Sequence, residues 1–412
     1  MFFIYEVLGL IFIIFSPIIF SIRIILGKED PNRFLEKFCI YKKKFKNPRT
    51  VWLHGSSVGE ILSVIPIIQT LEKNKKIKKI LITSSTVSSA VIFSKYKFKK
   101  TSHVYFPIDT NYLTNKFIKY WKPQIALFID SEIWPNMLSN LKINKIPIIL
   151  LNGRITKKSF KRWMIFPNFA KKNFSKITLA MPQNFETSKY LKILGVKKIK
   201  IAGNLKYFGK IKNSLDRNTR KFFKNRLVFC AASTHYNEEL FIGKVHAALK
   251  SKYNNLLSII IPRHINRSDD IFNELKNLGL NIITRSSKQK ISKNTDIYIA
   301  DTYGEATKFY GLSNITFMGG SLVPHGGQNP LEPARIGNYI LHGPNIQNFK
   351  EVYNMLLKLN ISSKVKVNDI LNMKKIIRKK IHHKQSQNVI KKLNIIGNDI
   401  LNKNLIEINK YL

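Results

Sequence analysis

From Val51 onward, short apolar runs alternate with longer stretches whose apolar residues recur at helical spacing. The runs at Val51–His54, Lys79–Thr83, His103–Phe106, Ile125–Asp130, Pro147–Leu151, Ile177–Ala180 and Lys198–Ala202 predict strands. A strand covered on both faces reads as near-continuous apolar sequence. Between them the spacing predicts helices at Gly59–Lys73, Val87–Lys95, Asn111–Tyr120, Trp134–Leu141 and Glu186–Leu194. After a polar, basic stretch at Lys210–Lys224 the alternation resumes. Strands are predicted at Arg226–Ala231, Leu257–Pro262, Asn281–Thr284, Thr295–Ala300, Asn314–Met318 and Tyr339–Leu341, and helices at Asn237–Leu249, Asp269–Leu278, Gly304–Tyr310, Leu331–Ile336 and Phe349–Leu359. Such alternation implies right-handed crossovers and parallel sheets with helices on both faces. The expected fold class is therefore α/β, with two doubly wound domains joined near Asn204–Lys224 and a solvated helical tail from Asn368. The natural active site is the cleft at the carboxyl ends of the two sheets.

The amino terminus breaks this pattern. Val7–Leu26 reads VLGLIFIIFSPIIFSIRIIL, with Arg23 its one charge. About 20 such residues span a hydrocarbon core of ~30 Å. A cleaved signal peptide would want a basic start and a shorter apolar stretch, whereas no Lys or Arg precedes this run. A retained anchor is expected. The basic sequence after Lys28 places the body on the cytoplasmic side by the positive-inside rule. Pro17 leaves open a kinked or only partly inserted helix.

Composition adds one outlier. The 412 residues carry 70 Lys plus Arg against 24 Asp plus Glu, a net charge of +46. That field suits anionic partners, but the excess is mostly Lys scattered among Ile and Asn and fits a drift in genome composition equally well. Charge alone names no partner. With 44% hydrophobic residues the chain buries ample core, which excludes disordered and disulfide-scaffold classes. Cys39 and Cys230 offer no CxxC pair and read as small buried hydrophobes in a reducing compartment.

Candidate chemistry sits at strand ends. His54-Gly55-Ser56-Ser57-Val58-Gly59-Glu60 runs from a strand into a helix, whose unpaired N–H groups suit an anion. Glu60 stands where a Walker A loop would carry its Lys. It either offsets the helix dipole or acts as general base on an acceptor hydroxyl. Asp130-Ser131-Glu132-Ile133-Trp134-Pro135 reads as capping chemistry. Asp130-x-Glu132 also resembles the acidic pair that holds a divalent metal in a class of nucleotide-sugar transferases, but that class has a single-domain fold unlike this pattern. No HExxH motif, Cys/His cluster or EF-hand loop appears, so no metal is expected. Arg154 and Lys206 each lie just past a strand's carboxyl end, where a cation stabilises developing phosphate charge. In the second half, Pro262-Arg263-His264, Asp301-Thr302-Tyr303-Gly304-Glu305, Phe317-Met318-Gly319-Gly320-Ser321 and His325-Gly326-Gly327-Gln328-Asn329-Pro330-Leu331-Glu332 form four more loops. Arginine there forks onto phosphate, glycine pairs admit close backbone approach, and Glu332 is placed to accept ribose hydroxyls.

The ordered set HGSSVGE, SEIWP, NGR, GNLK, PRH, DTYGE, FMGGSL and GGQNPLEPA, from about His54 to Phe349, closely resembles the 3-deoxy-D-manno-octulosonic acid (Kdo) transferases, bacterial enzymes that add Kdo to the lipid A precursor. The resemblance implies a GT-B type fold of two Rossmann-like domains facing across a cleft, with an N-terminal membrane-anchor helix. It implies an inverting glycosyltransferase with no cofactor or catalytic metal, taking CMP-Kdo as donor. The acceptor would be a tetraacylated, bis-phosphorylated glucosamine disaccharide (lipid IVA). By motif position Glu60 would be the catalytic base, and Glu132 and Lys206 would stabilise the transition state. Pro262, Arg263, Tyr303, Gly304, Glu305, Asn329, Pro330, Leu331 and Glu332 would contact CMP. Arg154 is a candidate for holding an anionic substrate group. Tyr303 fills a variable motif position.

The implied organisation is an anchor (residues 1–28), an acceptor-side domain (29–209), a donor domain (210–385) and a helical tail (386–412), on the inner membrane with the body cytoplasmic. The nearest rival is a GT-B lipid-linked transferase using a UDP-sugar. A non-catalytic basic membrane-tethered protein is disfavoured because aromatic stacking positions and RNA-binding signatures are missing. No nucleic-acid partner is expected.

Overall fold

The computed structural model describes residues 2–41, 50–207, 223, 225–382 and 387–412. The expected joint at Asn204–Lys224 and the basic stretch Lys210–Lys224 therefore lie mostly outside the described residues. The chain divides into two compact units, Met1–Gly209 with Ile396–Leu412, and Lys210–Ile395.

In the first unit the strands are β1 (Thr50–His54), β2 (Lys79–Ser84), β3 (Thr101–Tyr105), β4 (Pro123–Ile129), β5 (Ile148–Gly153) and β6 (Leu179–Pro182). They form one sheet in the order β3-β2-β1-β4-β5-β6, parallel throughout. Every residue of β1 is buried, as covering both faces demands. Trp52, Phe117, Trp121 and Phe128 fill the core on one side. Ser57, Thr86, Thr110, Thr156 and Asn184 each accept a backbone N–H as helix N-caps, worth about 1 kcal/mol apiece. The strand order reverses between β1 and β4, and ligands bind beyond the carboxyl ends at such a switch point.

In the second unit β7 (Leu227–Thr234), β8 (Leu256–Pro262), β9 (Ile282–Thr284), β10 (Ile297–Ile299), β11 (Ile315–Met318), β12 (Tyr339–His342) and β13 (Ser362–Lys364) follow. Their order is β13-β12-β11-β7-β8-β10-β9, again parallel. The reversal here falls between β7 and β11. Cys39 and Cys230 are buried free thiols.

Three expectations change. Lys198–Ala202 is not a strand: it makes a single bridge, Ala180 to Ile199. The polar edge strand β13 was not expected. The tail is helical but not solvated. Met373 and Ile377 of helix Ile370–Lys380 join the second unit's core. In helix Gln387–Asn409, Ile400, Leu401, Leu405 and Ile408 are buried, and Lys200 pairs with Glu407 at 2.7 Å. The tail thus closes back on the first unit.

Helix α1 (Phe2–Ile25) contains Pro17 without interruption and is about 36 Å long. It is the one helix among the described residues long and apolar enough to cross a membrane.

Candidate active site

The loop after β1 and the loop after β4 flank the first unit's switch point. Ser57 caps helix Val58–Lys73, which turns Glu60, one turn in, back toward the loop. Its Oε2 accepts the Ser56 N–H at 2.8 Å and its Oε1 the Ser57 hydroxyl at 2.8 Å. The side chain is half-buried. Burial raises its pKa, the Glu132 charge raises it further, and the Ser57 and Ser56 hydrogen bonds counter only part of this. That is the setting of a carboxylate tuned toward a general base.

Glu132 belongs to the second loop. Its Oε2 accepts the Trp134 indole N–H at 2.7 Å and lies 3.1 Å from His54 Nε2. Burial alone would raise its pKa. The hydrogen bond and charge of His54, then Ser56 and Trp134, outweigh it and hold the carboxyl below its ordinary value. An ionised carboxylate only accepts, so Nε2 carries the hydrogen. Nδ1 then sits 3.0 Å from the Thr83 hydroxyl, which itself accepts the Trp52 indole N–H at 2.9 Å. The imidazole stacks on Phe106 at 3.9 Å between centroids. Two neighbouring carboxylates are thus driven in opposite directions, a pattern that separates acid–base roles.

Lys206 joins them through a chain of amide contacts. Buried Asn152, in the left-handed region at φ 52°, accepts the Leu205 N–H at 2.9 Å. Asn204 accepts the Lys206 N–H at 2.9 Å. The NGR and GNLK segments are therefore one structure. The ammonium lies 4.0 Å from where a side chain on Gly59 would begin. Asp130, also left-handed at φ 62°, accepts the Arg154 N–H on its carbonyl at 3.1 Å. Its carboxyl is pushed up to about 6 by burial, with Lys206 pulling it down and Glu60 pushing it up. The structure brings Glu60, Asp130, Glu132, Arg154 and Lys206 to one sheet end.

The second unit builds its loops differently. Gly319 follows β11, and a side chain there would meet the Ser233 carbonyl at 2.3 Å, so only glycine fits. The carboxylate of buried Glu238 accepts the N–H groups of Gly320, Ser321, Leu322 and His235 at 2.7–3.0 Å. Burial raises its pKa, and those four hydrogen bonds oppose the rise. His235 stacks near His325 at 4.1 Å and His264 at 5.8 Å. Burial and the surrounding positive charge of His325, His264, Arg263 and Arg267 lower its pKa to about 4.

Of the residues expected to contact CMP, Pro262 is buried at the end of β8 and Arg263 is exposed beside it, its N–H donated to the Thr234 carbonyl. Tyr303 is 78% exposed, and Gly304 takes φ 82°. The Glu305 carboxylate is occupied by Arg285, Lys308 and Thr302. Those partners outweigh burial and lower its pKa to about 2, so Glu305 braces its loop. Asn329 accepts the Leu331 N–H at 3.1 Å. Pro330 and Leu331 are buried, and Glu332 is exposed in the first turn of helix Leu331–Ile336. His54, Trp134, His235 and Glu238 are the residues to which sequence reasoning gave no role.

Two doubly wound parallel α/β units with loops at their switch points define the GT-B fold class. A crystal structure of UDP-GlcNAc 2-epimerase from Neisseria meningitidis shares the fold, with TM-score 0.61 and 15% identity over 88% of this chain and 99% of that one. The profile of the 3-deoxy-D-manno-octulosonic-acid transferase (kdotransferase) family matches residues 32–208. A 3-deoxy-D-manno-octulosonic acid transferase of Haemophilus influenzae is 30% identical, with 84% of each chain covered. One from Rickettsia prowazekii is 31% identical, with 89% of each covered. The chain belongs to the 3-deoxy-D-manno-octulosonic acid transferase family and is a glycosyltransferase.

Proposed function

We propose that this enzyme moves Kdo from CMP-Kdo to the primary hydroxyl of a lipid A precursor, lipid IVA, with inversion at the anomeric carbon. The observation that carries the mechanism is the opposed tuning of Glu60 and Glu132 beside Lys206 at one sheet end. The acceptor oxygen forms a bond to the anomeric carbon while its proton passes to the Glu60 carboxylate. The bond from that carbon to the CMP phosphate oxygen breaks, and its electron pair leaves with CMP. Glu132 stays ionised and, with Lys206, stabilises the charge that develops. Residues 29–209 serve the acceptor and residues 210–385 the donor. There Pro262, Arg263, Tyr303, Gly304 and the backbone around Glu305, with Asn329 to Glu332, contact CMP. Helix α1 anchors the enzyme in the inner membrane with its body in the cytoplasm. Arg23 and the basic sequence after it lie on that side, and a lipid acceptor requires an enzyme at the membrane.

The test is transfer onto detergent-dispersed lipid IVA with CMP-Kdo generated in place and EDTA then added, read by mass spectrometry. Kdo-sized increments are expected. Product only after added magnesium would assign Asp130 and Glu132 to a metal. No product, together with inhibition by UDP rather than CMP, would replace the donor with a UDP-sugar.

A further inference from the structure

Helix α1 does not stand clear of the body. Its positions 5, 8, 9, 12, 16, 19, 20 and 23 fall on one stripe at 100° per residue, and that stripe faces the first unit. The Tyr5 hydroxyl donates to Asp109 at 2.8 Å, and Gly9 packs beside Thr110. Farther along, Phe20 packs on Phe34 and Phe38, and Arg23 pairs with Glu29 at 3.1 Å. The helix is thus tied at two places 18 residues apart, about 27 Å along its axis. Between those ties Ile13 and buried Ser16 stay packed on the first unit, and beside them lies a groove of about 500 Å³, within the range of about 300–1,000 Å³ typical of ligand sites. Leu8, Phe12 and Ile19 form one wall and Phe106, Ile108 and Trp134 the other.

Two features say what belongs there. The inner wall is continuous with the catalytic loops: Trp134 holds Glu132, and Phe106 stacks on His54. Ser85, which also lines the groove, shares a 3.0 Å hydrogen bond with Ser56 beside Glu60. In addition, Asp109 accepts the N–H groups of Asn136 and Met137 at 3.1 and 2.8 Å. The tie to Tyr5 therefore lands on the segment that ends the Glu132 loop. The second feature is the outer wall. The face of α1 opposite the stripe carries Phe3, Val7, Ile14, Ile18 and Ile25, all exposed. A helix apolar all round, with one side on protein, is built to meet hydrocarbon on the other. The groove therefore opens between an apolar lipid-facing surface and the acid–base loops.

We infer that this groove takes one fatty-acyl chain of the acceptor lipid, so that α1 is a wall of the acceptor site as well as an anchor. The inference rests on the proposed lipid acceptor. A chain seated beside Trp134 is held equally in the ground and transition states, remote from the reacting hydroxyl, so acylation lowers the acceptor KM rather than raising kcat.

The test uses the full-length enzyme in detergent, with the tetraacylated acceptor and its chemically deacylated disaccharide bisphosphate. Leu8→Trp fills the groove from a position 58% exposed, and Ile14→Trp makes the same change on the opposite face, 72% exposed. Leu8→Trp should raise KM for the acylated acceptor about tenfold by excluding part of the chain, with kcat unchanged. Turnover of the deacylated acceptor should stay at the wild-type rate, and Ile14→Trp should change neither. An unchanged KM in Leu8→Trp would overturn the inference, as would equal losses on both acceptors. Weaker binding to phospholipid vesicles at an unchanged KM would assign the groove to a bilayer lipid instead. A wild-type enzyme inert on both acceptors would remove the lipid-acceptor reading itself, a result separable from the others.

Discussion

The loops at the two switch points solve different problems with the same backbone scaffold. In the first unit the candidate groups are side chains: Glu60, Glu132, Asp130, Arg154 and Lys206 converge from four loops, where the Glu132 charge raises the Glu60 pKa and the other four charges act on Asp130. In the second, the loop after β11 is shaped by backbone. Gly319 and Gly320 leave no room or need for side chains, and one buried carboxylate, Glu238, collects four N–H groups to fix the loop's shape. Only interactions stronger in the transition state than in the ground state speed the chemical step, and a base with an ionised neighbour supplies such interactions. The contrast teaches that substitutions in the first unit should change kcat, and those in the second should change donor affinity and stability.

The largest break should come from Glu60→Gln, which keeps the Ser56 hydrogen bond but removes the base. Single-turnover transfer should fall about 10²–10⁴-fold with an unchanged melting temperature. Next is Lys206→Ala, expected to lower kcat about 10²-fold while the donor KM holds; a change in KM alone would move Lys206 to ground-state binding. Glu238→Gln should cost about 1–3 kcal/mol of stability, because its amide turns N–H groups toward N–H donors. Thermal unfolding and the donor KM should both register it, with kcat nearly intact. The smallest effect sharpens the electrostatics. A raised Glu60 pKa means that activity is lost as pH falls through it, so the acid limb of kcat/KM lies above the ordinary carboxylate range. Removing the neighbouring charge with Glu132→Gln should move that limb to lower pH, whatever it does to the maximum rate.

Most strands were legible because both sheets are covered on two faces, so each strand reads as an apolar run. β13, Ser362–Lys364, is a polar three-residue edge with nothing to bury on one side. Helix Lys157–Trp163 buries none of its residues and so shows no periodicity; only Thr156, three residues before Ser159, marks its start. Lys198–Ala202 alternates like a strand, but one bridge to Ala180 is all that pairs it. The site loops were legible because their glycines and charges sit just past strand ends. Glu238 was not, since a glutamate in a first helical turn reads as dipole compensation. Three of its four partners arrive from a loop some eighty residues later, and the sequence carries no local mark of that. His54 likewise reads only as the end of the strand Val51–His54, and tertiary packing alone sets its ring beside Phe106, Thr83 and Glu132.

The contrast between the two switch points is tested most directly by titrating CMP calorimetrically into wild type, Glu60→Gln and Glu238→Gln side by side. CMP affinity in Glu60→Gln should match wild type within about twofold, because the proposed base serves the acceptor; it should fall about tenfold in Glu238→Gln, the loss of roughly one satisfied charge-assisted hydrogen bond. Weakened CMP binding in Glu60→Gln, with wild-type affinity in Glu238→Gln, would contradict the account.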